Sequence, residues 1–177
     1  MTHELLWAPW RLGYVQGHKE APDASSAQLE FAPDADPTCF LCQAVADPND
    51  RQRHVVWRTD HSITVLNRYP YNNGHVLVAP CRHRARLDQL HPQEGADLMA
   101  CITRLVGVLE EVLNAAGFNI GLNLGQAGGA GLPDHLHWHI VPRWRGDCNF
   151  MPSVAGVKVI PQALDALWDV LHRRLQE

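Results

Sequence analysis

The sequence predicts an α+β domain: a mostly antiparallel five-stranded sheet, one long helix and a C-terminal helix. Three observations carry that prediction. Five short runs rich in β-branched and apolar residues lie at 54–57, 62–67, 75–80, 118–124 and 135–141. One long stretch from Pro92 repeats its apolar residues with helical period. The first three strands are joined by connections too short for a crossover, which makes their pairing antiparallel.

Each element has its own signal. Tyr69-Pro70-Tyr71-Asn72-Asn73-Gly74 is turn chemistry between the second and third strands, and Pro80 stops the third. In the long helix, Leu98, Ile102, Leu105, Leu109 and Val112 recur at intervals of three and four and form one apolar face. Met99 fits the core of that helix, Glu110 and Glu111 lie on its wet side, and Gly117 ends it as a C-terminal cap. Residues 161–175 read as a terminal helix. Residues 1–16 hold Trp7, Pro9, Trp10 and Tyr14, aromatics that need the domain's own body or a partner to pack on. Residues 17–37, rich in Ala, Pro, Asp and Ser, read as a mobile loop or linker. The expected organisation is therefore an N-terminal aromatic segment and flexible loop over 1–37 and one domain over 38–177.

Composition narrows the partners. With 46% hydrophobic residues in 177, a core of useful size can form. A formal net charge of −4 lacks the basic excess that grips a long nucleic acid, while a small anionic substrate stays compatible with a locally positive site. No run of about 18 apolar residues predicts a membrane span, and the N-terminus lacks the pattern of a secretory signal. Five cysteines, scattered except for Cys39 and Cys42, argue for thiols or a metal and against a disulfide framework. A cytoplasmic protein is the expectation.

The chemistry concentrates in His135-Leu136-His137-Trp138-His139-Ile140-Val141. In a strand, side chains alternate faces, so three imidazoles share one face and Leu136, Trp138 and Ile140 the other. Imidazole acts as base, acid, nucleophile or metal ligand near neutral pH. The loop 125–131 feeding this strand contains four glycines, whose main-chain N–H groups can converge on an anion. Alternating histidines can also ligate one metal ion, and that reading stands beside the nucleotidyl one.

This stretch resembles the histidine triad motif, His-x-His-x-His-x-x with x apolar. The resemblance extends over residues 66–80, 117–125 and 141–150. Together with Leu6-Trp7-Ala8-Pro9-Trp10-Arg11 these are similar to a bacterial branch that includes dinucleoside tetraphosphate (Ap4A) phosphorylases. The resemblance implies the histidine triad (HIT) fold and nucleotidyl transfer or hydrolysis through a nucleotidyl-histidine intermediate. It implies His137 as nucleophile, His139 as donor to phosphate or leaving group, and His135 as an orienting group. Asn67, His75 and Asn123 match residues that line the nucleotide site, and the amides of Gly129, Ala130, Gly131 and Leu132 would stabilise phosphate charge. Gly131-Leu132-Pro133-Asp134 stand where many members carry Ser, Thr or Gln. The implied substrate is a dinucleoside polyphosphate, with phosphate or water as acceptor and a homodimer as the assembly. An adenosine phosphoramidase-like hydrolase and a nucleotide-binding regulatory module are the alternatives.

Cys39-Phe40-Leu41-Cys42 reads as half of a zinc site, a redox dithiol or two inert buried thiols. The resemblance implies a structural Zn²⁺ held by Cys39, Cys42, His83 and His135, with His54 in reserve, and no cofactor for the chemical step. Cys81, Cys101 and Cys148 read as small buried residues, and His3, His18, His61, His91 and His172 as mostly solvated. Arg143 and Lys158 could reach a polyphosphate or serve the surface.

Overall fold

A computed structural model describes residues 29–147 and 160–177. Trp7, Trp10, Cys148, Lys158, His3 and His18 lie outside the described residues. Helix α1 (Phe40–Ala46) precedes strands β1 (Val55–Arg58), β2 (Ser62–Leu66) and β3 (Val76–Pro80). A 3₁₀ turn (Leu87–Gln89) leads into helix α2 (Pro92–Leu113), then β4 (Gly117–Leu122), β5 (Trp138–Arg143) and helix α3 (Leu164–Gln176). The five strands form one sheet in the order β1-β2-β3-β5-β4, every pair antiparallel.

Both faces of the sheet are covered, which explains why every residue of β2 and β3 is buried. Val56, Leu66, Val76, Val78 and Ile140 meet Leu98, Ile102, Leu105 and Leu109 of α2 and Leu167, Leu171 and Leu175 of α3. On the opposite face Val55, Ile63, Val65 and Ala79 meet Leu41, Cys42 and Ala44 of α1. Strand alternation sends Trp138 and Ile140 into the α2 side and His139 to the other.

Several expectations are corrected. Helix α2 does not end on Gly117: Asn114 takes the left-handed cap at φ 51°, ψ 43°, and Gly117 opens β4. Met99 is 56% exposed, because it lies one residue off the buried row that starts at Leu98. Residues 135–137 precede the ladder of β5, so the three histidines are not all on one strand. His172 is not solvated; it stacks on Trp168 with ring centroids 4.3 Å apart and its Nδ1 lies 3.2 Å from Val56 O. Cys81 is only half-buried, unlike Cys101. Helix α1 had no counterpart in the periodicity; it is seven residues long and is held by burial of one face.

Gly74 delivers β3 to the sheet. Its φ of +73° suits glycine, and a Cβ there would lie 2.4 Å from Leu113 Cδ1 and 3.1 Å from Pro142 Cγ. The next residue, His75, is buried at the mouth of β3.

Candidate active site and metal cluster

The site is built where β5 begins, between β3 and β4. His139 pairs in register with Leu77 on one side and Gly121 on the other, so its backbone is fixed by two ladders. His137 lies just before the ladder and is 7% exposed. Its Nδ1 is 2.8 Å from His135 O. A carbonyl only accepts, so Nδ1 carries the proton and Nε2 keeps its lone pair. Burial pulls the His137 pKa below the ordinary 6.5, and the His135 carbonyl pulls it back up in part. The neutral, nucleophilic form is the one favoured.

A second chain of bonds sets His139. The Tyr71 N–H donates to His75 Nδ1 at 3.0 Å. Asn67 accepts the Tyr69 N–H at its Oδ1 (2.9 Å) and places Nδ2 3.2 Å from the same His75 nitrogen. His75 Nδ1 is therefore an acceptor, and its proton sits on Nε2, 3.0 Å from His139 Nδ1. His139 accepts there and keeps its own proton on Nε2. Burial, with His137 nearby, pushes the His139 pKa down to about 4, so it is neutral at physiological pH. The rings of His137 and His139 meet edge to face at 5.0 Å. The pair offers a bare nitrogen beside an N–H donor.

His135 has a different surrounding. It is fully buried, and its Nε2 donates to Pro80 O at 2.9 Å, which leaves the lone pair on Nδ1. That Nδ1 is 3.3 Å from Cys39 Sγ and 3.5 Å from Cys42 Sγ, while His83 Nδ1 is 3.2 Å from Cys42 Sγ. The four ligand atoms all lie within 4.8 Å of one another. In a tetrahedral zinc centre, sulfur at about 2.3 Å and nitrogen at about 2.0 Å stand about 3.6 Å apart. The donor set, the spacing and the tautomer of His135 all fit such an ion. Burial pushes the Cys39 thiol up to about 12 and raises Cys42 as well, so without a cation both stay protonated. The four residues expected from the sequence are the four brought together. His54 is not among them. It immediately precedes β1 at φ 55°, with Nδ1 buried and no hydrogen-bond partner among the described residues.

The remaining expected residues divide. Asn67 and His75 lie with His139, bonded as described. Among the described residues Asn123 reaches Gly129 O, at 3.4 Å. The N–H groups of Gly129 and Ala130 donate to Gln126 O and Gly125 O, so these two amides serve the loop's own turns. Gly128 is required there, since a Cβ would lie 2.4 Å from Leu124 O. Leu132 packs its side chain against the α1-side core. Arg143 is paired with Asp147 and donates to Asn119 Oδ1 at 2.6 Å, which assigns it a framework role at the end of β5. Tyr71, read from its neighbours as turn chemistry alone, stacks on His139 at 5.7 Å and tilts over His75 at 4.7 Å.

The HIT domain family model matches residues 49–146. A Mycobacterium tuberculosis protein named AP-4-A phosphorylase is 42% identical over 161 residues, 91% of this chain and 78% of that protein. A Schizosaccharomyces pombe asymmetrical bis(5'-nucleosyl)-tetraphosphatase is 40% identical over 93 residues, 52% of this chain and 50% of that protein. Among solved structures, a Zn-bound histidine triad family protein from Mycobacterium smegmatis superposes with a TM-score of 0.62 at 26% identity, covering 78% of this chain and 93% of that one. The chain belongs to the HIT domain family.

Proposed function

We propose that the protein cleaves dinucleoside polyphosphates by nucleotidyl transfer through His137. The observation that carries this reading is the pair of opposite tautomers: His137 with Nδ1–H on a carbonyl and Nε2 bare, His139 with Nε2–H. In the first step the His137 Nε2 lone pair attacks the α-phosphorus. The bond from phosphorus to the bridging oxygen breaks, and the leaving nucleotide departs on that oxygen, with His139 Nε2–H hydrogen-bonded to it. The imidazole, now cationic, keeps its Nδ1–H on His135 O, and a charge-assisted hydrogen bond there stabilises the intermediate. In the second step an oxygen of orthophosphate or water attacks phosphorus, the P–N bond breaks, and His137 returns to its neutral form. Residues 129–132 would line the phosphate side, with Asn67 and Asn123 near the sugar.

Cys39, Cys42, His83 and His135 would hold a structural Zn²⁺, which supplies a rigid cross-link and no step of the reaction. Reduced thiols in that role suit a cytoplasmic setting. The working organisation is a HIT domain over 38–177 preceded by an additional segment over 1–37. The same reading includes a homodimer joined through β4. Trp168 Nε1–H donates to Val55 O at 2.8 Å and covers the β1 edge, whereas β4 carries Ile120 46% exposed.

The test is incubation with Ap4A, with and without orthophosphate, and separation of products by anion exchange. ADP plus ATP formed only with phosphate makes the protein a phosphorylase; AMP plus ATP without phosphate makes it a hydrolase. No turnover in either refutes the reading.

A further inference from the structure

We propose that Tyr71 is a positioning residue of this site, its ring and its main chain together holding the His75–His139 pair in one tautomer. The inference rests on the functional reading above only for its consequence in turnover; the geometry stands by itself. Three contacts of one residue address the same two imidazoles. The Tyr71 N–H donates to His75 Nδ1 at 3.0 Å. The phenol ring lies over His75 with centroids 4.7 Å apart, and nearly parallel to His139 at 5.7 Å with 21° between planes.

The turn is built to place it. Tyr69 N–H is held by Asn67 Oδ1, and Asn72 Nδ2 reaches across to Pro142 O of β5 at 3.1 Å. The 67–75 turn is thus held within itself at Asn67 and tied across to β5, the strand that carries His139. The main-chain N–H forces His75 to hold its proton on Nε2, and that proton forces His139 to hold its own on Nε2. A neutral imidazole in water exchanges between its two tautomers, and only one of them leaves an N–H facing away from His75. The ring performs a second task. It covers one face of His139, whose polar neighbours among the described residues include His75, just before β3, and His137, with Leu77 and Gly121 beside it on β3 and β4. Among the described residues none of these neighbours is a carboxylate.

The experiment uses the full chain, zinc-loaded and ¹⁵N-labelled. Long-range ¹H–¹⁵N correlation spectra of the histidine rings are recorded from pH 4 to 8 for the wild type, Tyr71→Phe, Tyr71→Ala and Tyr71→Leu. Wild type and Tyr71→Phe are expected to hold His139 as the Nε2–H tautomer and neutral throughout most of the range. In Tyr71→Ala the main-chain donor survives but the ring is lost, so His139 should titrate at least one pH unit higher. The kcat on Ap4A should fall roughly tenfold at unchanged KM, and its acid limb should move with the titration. Tyr71→Leu, which keeps bulk, should fall between. A His139 tautomer and titration in Tyr71→Ala identical to wild type would overturn the proposal, as would Tyr71→Phe behaving like Tyr71→Ala. If the wild type shows the expected tautomers but turns over no Ap4A, the functional reading falls and the positioning role stands.

Discussion

Gly74→Ala tests whether the turn that delivers His75 is set by close approach and backbone conformation together. At φ +73° an alanine pays about 1–2 kcal/mol for left-handed backbone. Its Cβ would also sit 2.4 Å from Leu113 Cδ1, inside contact distance, and such overpacking costs about 1–3 kcal/mol. The sum is about 2–5 kcal/mol. With a urea m-value of about 2 kcal/mol/M, the midpoint should fall by about 1–2.5 M. The two parts separate in a cycle. Leu113 is partly buried against the α2-side core, and Leu113→Ala alone should cost about 1–2 kcal/mol. In the double variant the Leu113 contact is gone, while the backbone strain and the 3.1 Å approach to Pro142 Cγ remain, so a coupling of about 1–2 kcal/mol in favour of the pair is expected. Urea unfolding with saturating zinc measures all four proteins. A cost below about 1 kcal/mol for Gly74→Ala, or strictly additive effects, would refute the steric reasoning.

His137→Gly should lower turnover of Ap4A by about 10⁴-fold with the urea midpoint little changed; retention of a tenth of the activity would remove His137 from the nucleophile role. Native mass spectrometry of the zinc-loaded protein should give one metal per chain, and Cys42→Ser or chelation should abolish it and lower the Tm by roughly 5–10 °C. An unchanged Tm on verified metal loss would deny the cluster a structural role. Glu94 at the start of α2 is held down to about 2, first by its hydrogen bonds to Arg82. Because its folded pKa is depressed, the stabilisation is complete above the unfolded value near 4.5 and is lost as pH falls from there toward 2. The full displacement would be worth about 3 kcal/mol, and screening at the part-exposed Arg82 brings the expectation to about 1–2. Glu94→Gln should flatten the wild-type fall in stability between pH 4.5 and 2, and a parallel fall in both proteins would locate the titration elsewhere.

Features dictated by local pattern were legible in the sequence. The apolar row Leu98, Ile102, Leu105 and Leu109 marked α2 because helical period and burial coincide there. The metal-cluster residues came from the resemblance, and the fold brings their ligand atoms within reach of one ion. What escaped depends on tertiary context. Helix α1 is too short to show a period and exists because Leu41, Cys42 and Ala44 are covered by the sheet. Asn114 rather than Gly117 caps α2, since the left-handed position is fixed by where β4 must begin and asparagine tolerates it. The alternation of the triad suggested one strand, but the ladder partners in β3 and β4 stop at Val78 and Leu122, opposite Trp138. Tyr71 read as turn chemistry because its role is visible only once His75 and His139 are neighbours.

That shortened ladder bears on how the site is held. His139 is fixed by two strands, but His137, the residue that must present a bare nitrogen, has no ladder bond of its own in β5. Its segment is anchored instead from the last residue of β3 and the chain that follows it. Leu136 N–H donates to Arg84 O at 2.6 Å, and His135 Nε2–H donates to Pro80 O. That chain is itself pinned by Arg82 to Glu94 and by Arg84 to Asp34. His135 joins the two systems: its ring nitrogen faces Cys39, while its carbonyl holds the proton of His137. A shift at the cysteine end therefore reaches the nucleophile through one residue, without passing through the sheet. Replacing Cys39 or Cys42 should disturb His137 more than His139, although both histidines lie in the same short segment.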